Sequence, residues 1–540
     1  MPKAGKPNQH KPNPPDELCR PTIEKYWLLG CNDEYIRTKL LENIDTSRYG
    51  IGIVRFREMR ERLGFKTSRK FQGTIQTLMP VMKTLRVDYP KAGIREMISH
   101  LWHEHNMRVP RSLVIEYFHT YESELCEERK VNRFKRKMFW AAGVFDVICV
   151  DQHDKWKKFG LALHHGVEPV AGPVLWMNVW WTNNNPRIVL SYYLDWVERV
   201  GYTSLVTQSD PGSENFGISN GHTALRHWHD PQMKGTLCHR WMRSKKNIKP
   251  EISWSQYRRR FAPGFEDILE WGVERGIYDA KNPIEKLVFR YLFIPWLQRE
   301  LDSYVARINN FKKRHDKNKI LPQGVPNLIA EHPEDFGVLD FRVGFGLIGQ
   351  KSPEGLILNF QIKVEKEAIT EVRREFLADQ PSVFHLVPPD FDPIVSKAWA
   401  DIGNAEVNRN TCWDVYQDVL AGVLNALASN HDSNLPELEN IEAEWKDYFD
   451  EGDVGESIAL VEDEHPLHCG PGNPRPDGSY YYGGVNHGAG LNARQEAERD
   501  QRENEVDVEL PVDYAPPAHH MLIMDFSDDE DDADTIVAWA

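Results

Sequence analysis

Between residues 141 and 241 the apolar residues come in short runs, and two of those runs lead to an aspartate: GVFDVICVD closes on Asp151, and YTSLV passes through TQS to Asp210. Runs of this length, bounded by Gly, Pro and Asn, fit buried strands and are too short for buried helices. LALHHGVEP and GPVLWMNVWWT read as the second and third strands, and GTLCHRW as a fifth. Between the third and fourth, Asn185-Pro186 opens a helix over PRIVLSYYLDWVERVG, because proline suits a first helical turn. After KKNIKP helices take over. One begins near Glu251 and runs through SWSQYRRRFAPGFEDILEWGVERG with a break at Pro263; another covers PIEKLVFRYLFIPWLQRELDSYVARINN. Strands, a helix, more strands and then helices predict a mixed α/β layer architecture.

The rest of the 540 residues divides around this block, a length that favours several domains. Residues 1–15 are polar and proline-rich, without the apolar stretch of a secretory signal, and are expected to be disordered. Residues 16–70 read as three helices: PTIEKYWLLG, NDEYIRTKLLEN on an Asn cap, and GIVRFREMRERLGF. In the third, Val54, Met59 and Leu63 point inward and Arg55, Arg57, Arg60 and Arg62 outward. This predicts a helix-turn-helix whose last helix enters a DNA groove; a purely structural three-helix bundle has the same pattern. Residues 71–127 form a second, similar helical unit. ERKVNRFKRKMFW, at 128–140, is a basic connector that fits a phosphate backbone, a nuclear import patch or a solvated linker. The α/β core is expected over 141–332 and an α+β extension over 333–430, with a hairpin turning at SPEG and a helix over TCWDVYQDVLAGVLNALA.

Charge separates the last part from the others. Residues 431–540 hold 29 acidic and 5 basic side chains, and residues 1–430 hold the remaining 52 and 61, so a tail of −24 follows a body of +9. The tail predicts disorder, and the basic body fits a polyanionic partner. Within the tail, HHMLIMDFSDDEDD reads as a docking strand for a protein partner or as an unstructured acidic end. No run of eighteen apolar residues predicts a membrane span. The seven cysteines form no CxxC pair, which argues against a disulfide framework or a cysteine-rich zinc site and fits a reducing compartment.

Asp151 and Asp210 stand at strand ends and Glu251 at a helix start, 59 and 41 residues apart. Carboxylates so placed can converge, and their clustered charge calls for hard divalent cations. Two such ions serve phosphoryl transfer without an amino-acid nucleophile. The sequence holds no GxSxG, cysteine-nucleophile or P-loop signature.

The words around these acids, DQHDKW (151–156), NNNPR (183–187), QSDPGSEN (208–215) and NIKPEISW (247–254), resemble in order those of the integrase/transposase core with an Asp-Asp-Glu triad. They are most similar to integrase-core proteins of mushroom-forming fungi, related to eukaryotic mobile elements. The likeness continues through FIPWLQRELDSYVARINNFKKRHDKNKILPQGVPNLI and spans about 140–330. It implies a ribonuclease-H-like fold with a mixed five-stranded sheet, and a triad of Asp151, Asp210 and Glu251 holding two Mg²⁺ or Mn²⁺ ions. It implies DNA nicking, then attack of the freed 3′-hydroxyl on target DNA, in a homo-oligomeric nuclear protein. The sequence departs from the family in Lys249-Pro250 and Ile252 flanking Glu251, in the long Asp–Glu interval and in having no His-His-Cys-Cys module before the core.

Other residues near these words carry two readings each. Lys155, Arg258, Arg259, Lys312 and Lys313 are candidate DNA contacts or solvated charges, as are Arg55, Arg57 and Arg60 on the third N-terminal helix. Asp154 and Glu214 are substitute ligands or turn residues, while His153, His164 and His165 are aids to metal or phosphate or satisfied strand histidines. Asn215 ties its own turn, and Trp156 and Trp254 are packing residues. Two other functions share these features: a domesticated DNA-binding protein without activity, and a ribonuclease acting on RNA–DNA hybrids.

Overall fold

The computed structural model describes residues 11–122, 141, 143–242, 247–313, 321–341, 363–378, 381–429 and 445–449. The basic connector, the SPEG hairpin and the docking strand lie outside these residues, as does nearly all of the acidic tail.

Five strands form one sheet in the order β3-β2-β1-β4-β5: β1 Val147–His153, β2 Ala162–Val167, β3 Val174–Trp180, β4 Val206–Ser209 and β5 His239–Trp241. The first three run antiparallel to one another, and β4 joins β1, and β5 joins β4, in parallel. This is the ribonuclease-H-like α/β arrangement that the resemblance implies. The parallel step needs a crossover, supplied by α7 (Pro186–Val200), which starts on the Asn185 cap and ends at Gly201 in the left-handed region (φ 77°).

Side chains alternate across the pleat, and each face of the sheet has its own cover. His164 of β2 and Trp176 of β3 reach Tyr192, Tyr193 and Trp196 of α7. The Trp176 ring lies over Gly166, where a Cβ would stand 2.3 Å from it, so only glycine admits the ring. The other face carries Asp151, His153 and His165, and Trp254 of α9 (Ile248–Arg260) stacks on His153 and packs tilted against His165, at centroid distances of 4.9 and 4.0 Å. The long helix α11 (Pro283–Asn310) lies beside β3, where Gln298 bonds the backbone of Met177 and Val179. Between them runs α10 (Ala262–Glu274); α9 and α10 divide at Phe261, close to the expected break at Pro263.

Two differences from the strand reading matter for the site. β1 runs past Asp151 to His153, so the aspartate lies inside a strand, paired with His165. β4 is not YTSLV but VTQS, whose polar side chains are 0–1% exposed. A further helix, α8 (Phe216–His229), packs on α7 and was not read from the sequence. Its Gly217 touches α7 so closely that a Cβ would lie 1.9 Å from the Pro186 carbonyl oxygen.

The N-terminal helices build two small cores. Helices α1 (Asp16–Leu28), α2 (Asp33–Glu42) and α3 (Ile53–Arg62) share one with Val325 and Leu328, and the Asn32 side chain caps α2 as expected. On α3 the inward residues are Phe56, Met59 and Arg60, whereas Val54 is 63% exposed. Arg60 is 2% exposed: Nε meets Asp33 Oδ1 at 2.9 Å and Nη1 donates to the Phe65 carbonyl. The expected outward Arg60 is therefore an internal strut, because a guanidinium so buried needs a carboxylate and a carbonyl around it. Helices α4 (Ile75–Asp88), α5 (Ile94–His103) and α6 (Arg111–Tyr121) form the second core.

Short α12 (Pro326–Glu331) follows the central block, and α13 (Lys366–Phe376), α14 (Asp392–Asp401) and α15 (Cys412–Ser429) pack onto the large core. Five residues from the stretch expected to be disordered join them. Trp445 and Tyr448 are buried, and buried Arg290 donates from Nη1 to the Tyr448 carbonyl at 2.6 Å. Aromatic surface outweighs the acidic composition there. Among the described residues no helix is long and apolar enough to cross a membrane.

Candidate active site

Asp151 projects from β1 on the face covered by α9, and Asp210 follows directly on β4, the neighbouring parallel strand. Glu251 stands in the first turn of α9, exposed, where the helix end favours a carboxylate. The three elements are joined by one fully buried side chain, Asn247. Its Nδ2 donates to the Val150 carbonyl at 2.9 Å, beside Asp151, and its Oδ1 accepts from Gln208 Nε2 at 3.3 Å, two residues before Asp210. Glu251 lies four residues further on. Asn247 thus fixes the start of α9 against both aspartate-bearing strands.

The acids share an electrostatic field. Burial pushes Asp151 up to about 8, and the charges of Asp210, Glu251 and Asp154 add to the shift. Burial raises Asp210 too, and its Oδ1 is buried with no hydrogen bond among the described residues. Glu214 is raised mainly by burial, with Asp154 and Asp210 nearby. No three His, Cys, Asp or Glu side chains among the described residues form a closed metal-binding group.

The four sequence words meet here. Asn183 Nδ2 donates to Asp154 Oδ1 at 2.9 Å, and Lys157 pairs with Asp154 at 3.0 Å and reaches Asn184 at 3.1 Å. Asp154 is thus tied to the loop before α7. Asn215 donates to the Asp210 carbonyl at 3.2 Å and to Glu214 Oε1 at 2.9 Å, bracing the turn as expected. Trp156 is fully buried with its Nε1 on Glu266, and Trp254 is packed between the histidines. His164 and His165 are core histidines held neutral by burial, near 3.

The candidate cations divide among four places. Lys155 and Arg258 lie near each other beside His153: burial lowers all three, and the two cations add to the fall of His153 to about 4. His153 lies two residues after Asp151 on β1. Arg259 lies toward Tyr304 of α11. Lys312 and Lys313 line a cavity behind α9. Arg55 and Arg57 are exposed on α3, paired with Glu58 at 3.0 Å and Asp33 at 3.1 Å. Asn247 and Gln208 were missed as positioning residues; the NxxxE spacing was visible, but their partners lie far away along the chain.

Residues 144–325 match the family model described as integrase core domain. This part of the chain is an integrase core domain. The match runs from just before β1 to the residue before α12, so it takes in the whole sheet and all three acids. No curated protein matches the chain by sequence. The integrase core carries integrase/transposase-like function in its family, and Asn247 ties the helix of Glu251 to the two strands of Asp151 and Asp210 within it.

Proposed function

We propose that the protein cleaves DNA ends and joins them to target DNA, with Asp151, Asp210 and Glu251 as the acting acids. The observation that carries this reading is the convergence of four separate sequence words on one face, with two carboxylates on adjacent parallel strands and a third on the helix braced to both. The residues fit divalent cations: all donors are hard oxygens, Asp210 Oδ1 is a buried acceptor with no hydrogen bond among the described residues, and burial, with the like charges adding to it, drives Asp151 up to about 8. Asp151 and Asp210, with Glu251 from the helix, would hold Mg²⁺ or Mn²⁺. When bound, such ions supply charge for activating the attacking oxygen and stabilising the leaving one.

The chain's own residues do the positioning. Asn247 keeps Glu251 in register with the aspartates, and Asn183 and Lys157 hold Asp154 out of the ligand set. Lys155 and Arg258 present positive charge to a phosphodiester beside the acids. Arg55 and Arg57 of α3 suit backbone contacts with element ends, since exposed ion pairs are weak and readily exchanged for phosphate. A homo-oligomer, a nuclear location and a protein partner for the acidic tail complete the proposal.

A strand-transfer assay with Mn²⁺ on the full chain tests it: product forms with the wild type and disappears in Asp210→Asn, while DNA binding persists. A second reading, a DNA-binding protein that has lost activity, is favoured by the exposed Glu251. It prevails if DNA binds but no product forms under any divalent metal.

A further inference from the structure

Asp210 stands just past β4, and its carbonyl oxygen accepts from Asn215 Nδ2 at 3.2 Å and from Ser209 Oγ at 2.9 Å. The first bond belongs to the turn; the second leads back into the sheet. Ser209 Oγ also meets Nε2 of His239 at 3.0 Å, and the ring's other nitrogen, Nδ1, meets Thr207 Oγ1 at 2.9 Å. His239 opens β5 and pairs with Thr207 across the parallel ladder, and all three side chains are buried. The ring is anchored from beyond β4 as well. The amide of Cys238, just before it, donates to Thr223 Oγ1 of α8 at 3.0 Å, and Trp241 packs edge-on against the ring at 4.2 Å.

The protons in this chain of bonds run in one direction. A hydroxyl has a single proton, and that of Ser209 goes to the Asp210 carbonyl. Nε2 of His239 is therefore the donor to Ser209 Oγ. Burial, with the charge of Arg240 adding to it, pushes His239 down to about 3, so the ring is neutral and carries one N–H. Nδ1 is then the acceptor, and the Thr207 hydroxyl donates to it. The relay starts at Thr207, passes through His239 and Ser209, and ends on the peptide of Asp210. Asp210 Oδ1 has no hydrogen bond among the described residues, so the aim of the carboxylate rests on the backbone that carries it.

We propose that His239 is a positioning residue for Asp210: acting through Ser209, it holds the Asp210 peptide in the orientation that presents the carboxylate to a divalent cation. The inference rests on the reading of Asp210 as a metal-holding acid. Its mark is directional, since position 239 must supply a donor at the far end of its side chain, and neither bulk nor an acceptor replaces it.

Mn²⁺ binding to the full-length protein without DNA, followed as free Mn²⁺ by electron paramagnetic resonance, tests it. The site that counts is the one lost in Asp210→Asn. A glutamine amide reaches the Nε2 position and donates to Ser209, whereas an asparagine amide reaches only as far as Nδ1. His239→Asn and Ser209→Ala should each weaken the site about fivefold or more, the factor that one lost hydrogen bond amounts to, and His239→Gln should bring it back to within about twofold of the wild type. Melting temperatures in EDTA report folding separately. A merely structural histidine would lower them in both variants at 239 and leave the Mn²⁺ affinity of the folded protein unchanged. If His239→Asn does not fold, Ser209→Ala, which loses only a hydroxyl, is read against the wild type in the same way. Should Asp210→Asn abolish the site while His239→Asn and Ser209→Ala keep full affinity, or should His239→Gln fall as far as His239→Asn, this inference fails and the reading of the acids stands. If the wild type binds no more Mn²⁺ than Asp210→Asn, both fail.

Discussion

Asn247 carries no charge, yet its removal reaches all three acids. Asn247→Ala strands the Val150 carbonyl and the Gln208 amide in a dry setting, each at about 1–3 kcal/mol. Urea unfolding should show that loss, and strand transfer should fall by more than the change in folded fraction explains. Asn247→Asp keeps the acceptor but loses the donor, so it should land between the two. Glu168 gives a second prediction at this scale. Burial pushes its carboxyl up to about 7, whereas an unfolded glutamate releases its proton near 4.5. The folded state therefore holds the proton longer, and stability falls as pH rises through the window between those values, by up to about 3 kcal/mol. Unfolding titrations at several pH values should show this slope, and Glu168→Gln should flatten it. The placement of Asp151 and Asp210 at the ends of two strands and of Glu251 at a helix start was legible, apart from the extension of β1 past Asp151, because turns and short strands advertise such positions. The inward turn of Arg60 was not, because its partners Asp33 and Phe65 are set by tertiary packing. Nor was the burial of Thr207, Gln208 and Ser209, whose polarity reads as a turn until His239 and Asn247 are seen to satisfy them.

At the scale of elements, β2, β3, α7 and α11 follow directly from apolar runs and from proline or asparagine at helix starts. α8 escaped because FGISNGHTALRHWH places glycines where a helix usually places large apolar residues. Those glycines are the contact: at Gly217 the α7 backbone itself occupies the space of a side chain. A backbone carbonyl cannot swing aside as a flexible side chain does. Gly217→Ala should therefore lower stability by about 1–3 kcal/mol, read as a drop in melting temperature, even though alanine is the better helix former. β4 is displaced for a related reason, since the apolar YTSLV is a connection while the strand is the polar segment that pairs with β1 and β5.

For the whole molecule, composition marks residue 431 as the end of the folded part, and packing moves that end to at least 449. Phe391 meets Trp445 at 5.7 Å, and the Tyr448 hydroxyl meets His385 Nδ1 at 3.2 Å. A chain ending at 449 should melt like the full-length protein. One ending at 444 should melt at lower temperature, since two buried aromatic side chains contribute about 1.5–3 kcal/mol each.

Val325 and Leu328 complete the core of the first three helices from some three hundred residues away, and Tyr26–His332, Tyr35–Asp335 and Lys39–Asp335 contacts of 2.8–2.9 Å surround them. That N-terminal unit is consequently no detachable cassette. Grafting residues 16–65 onto another scaffold, or exchanging them with a relative's, would leave an open floor on one side and bare leucine and valine on the other unless residues 325–336 travel with them.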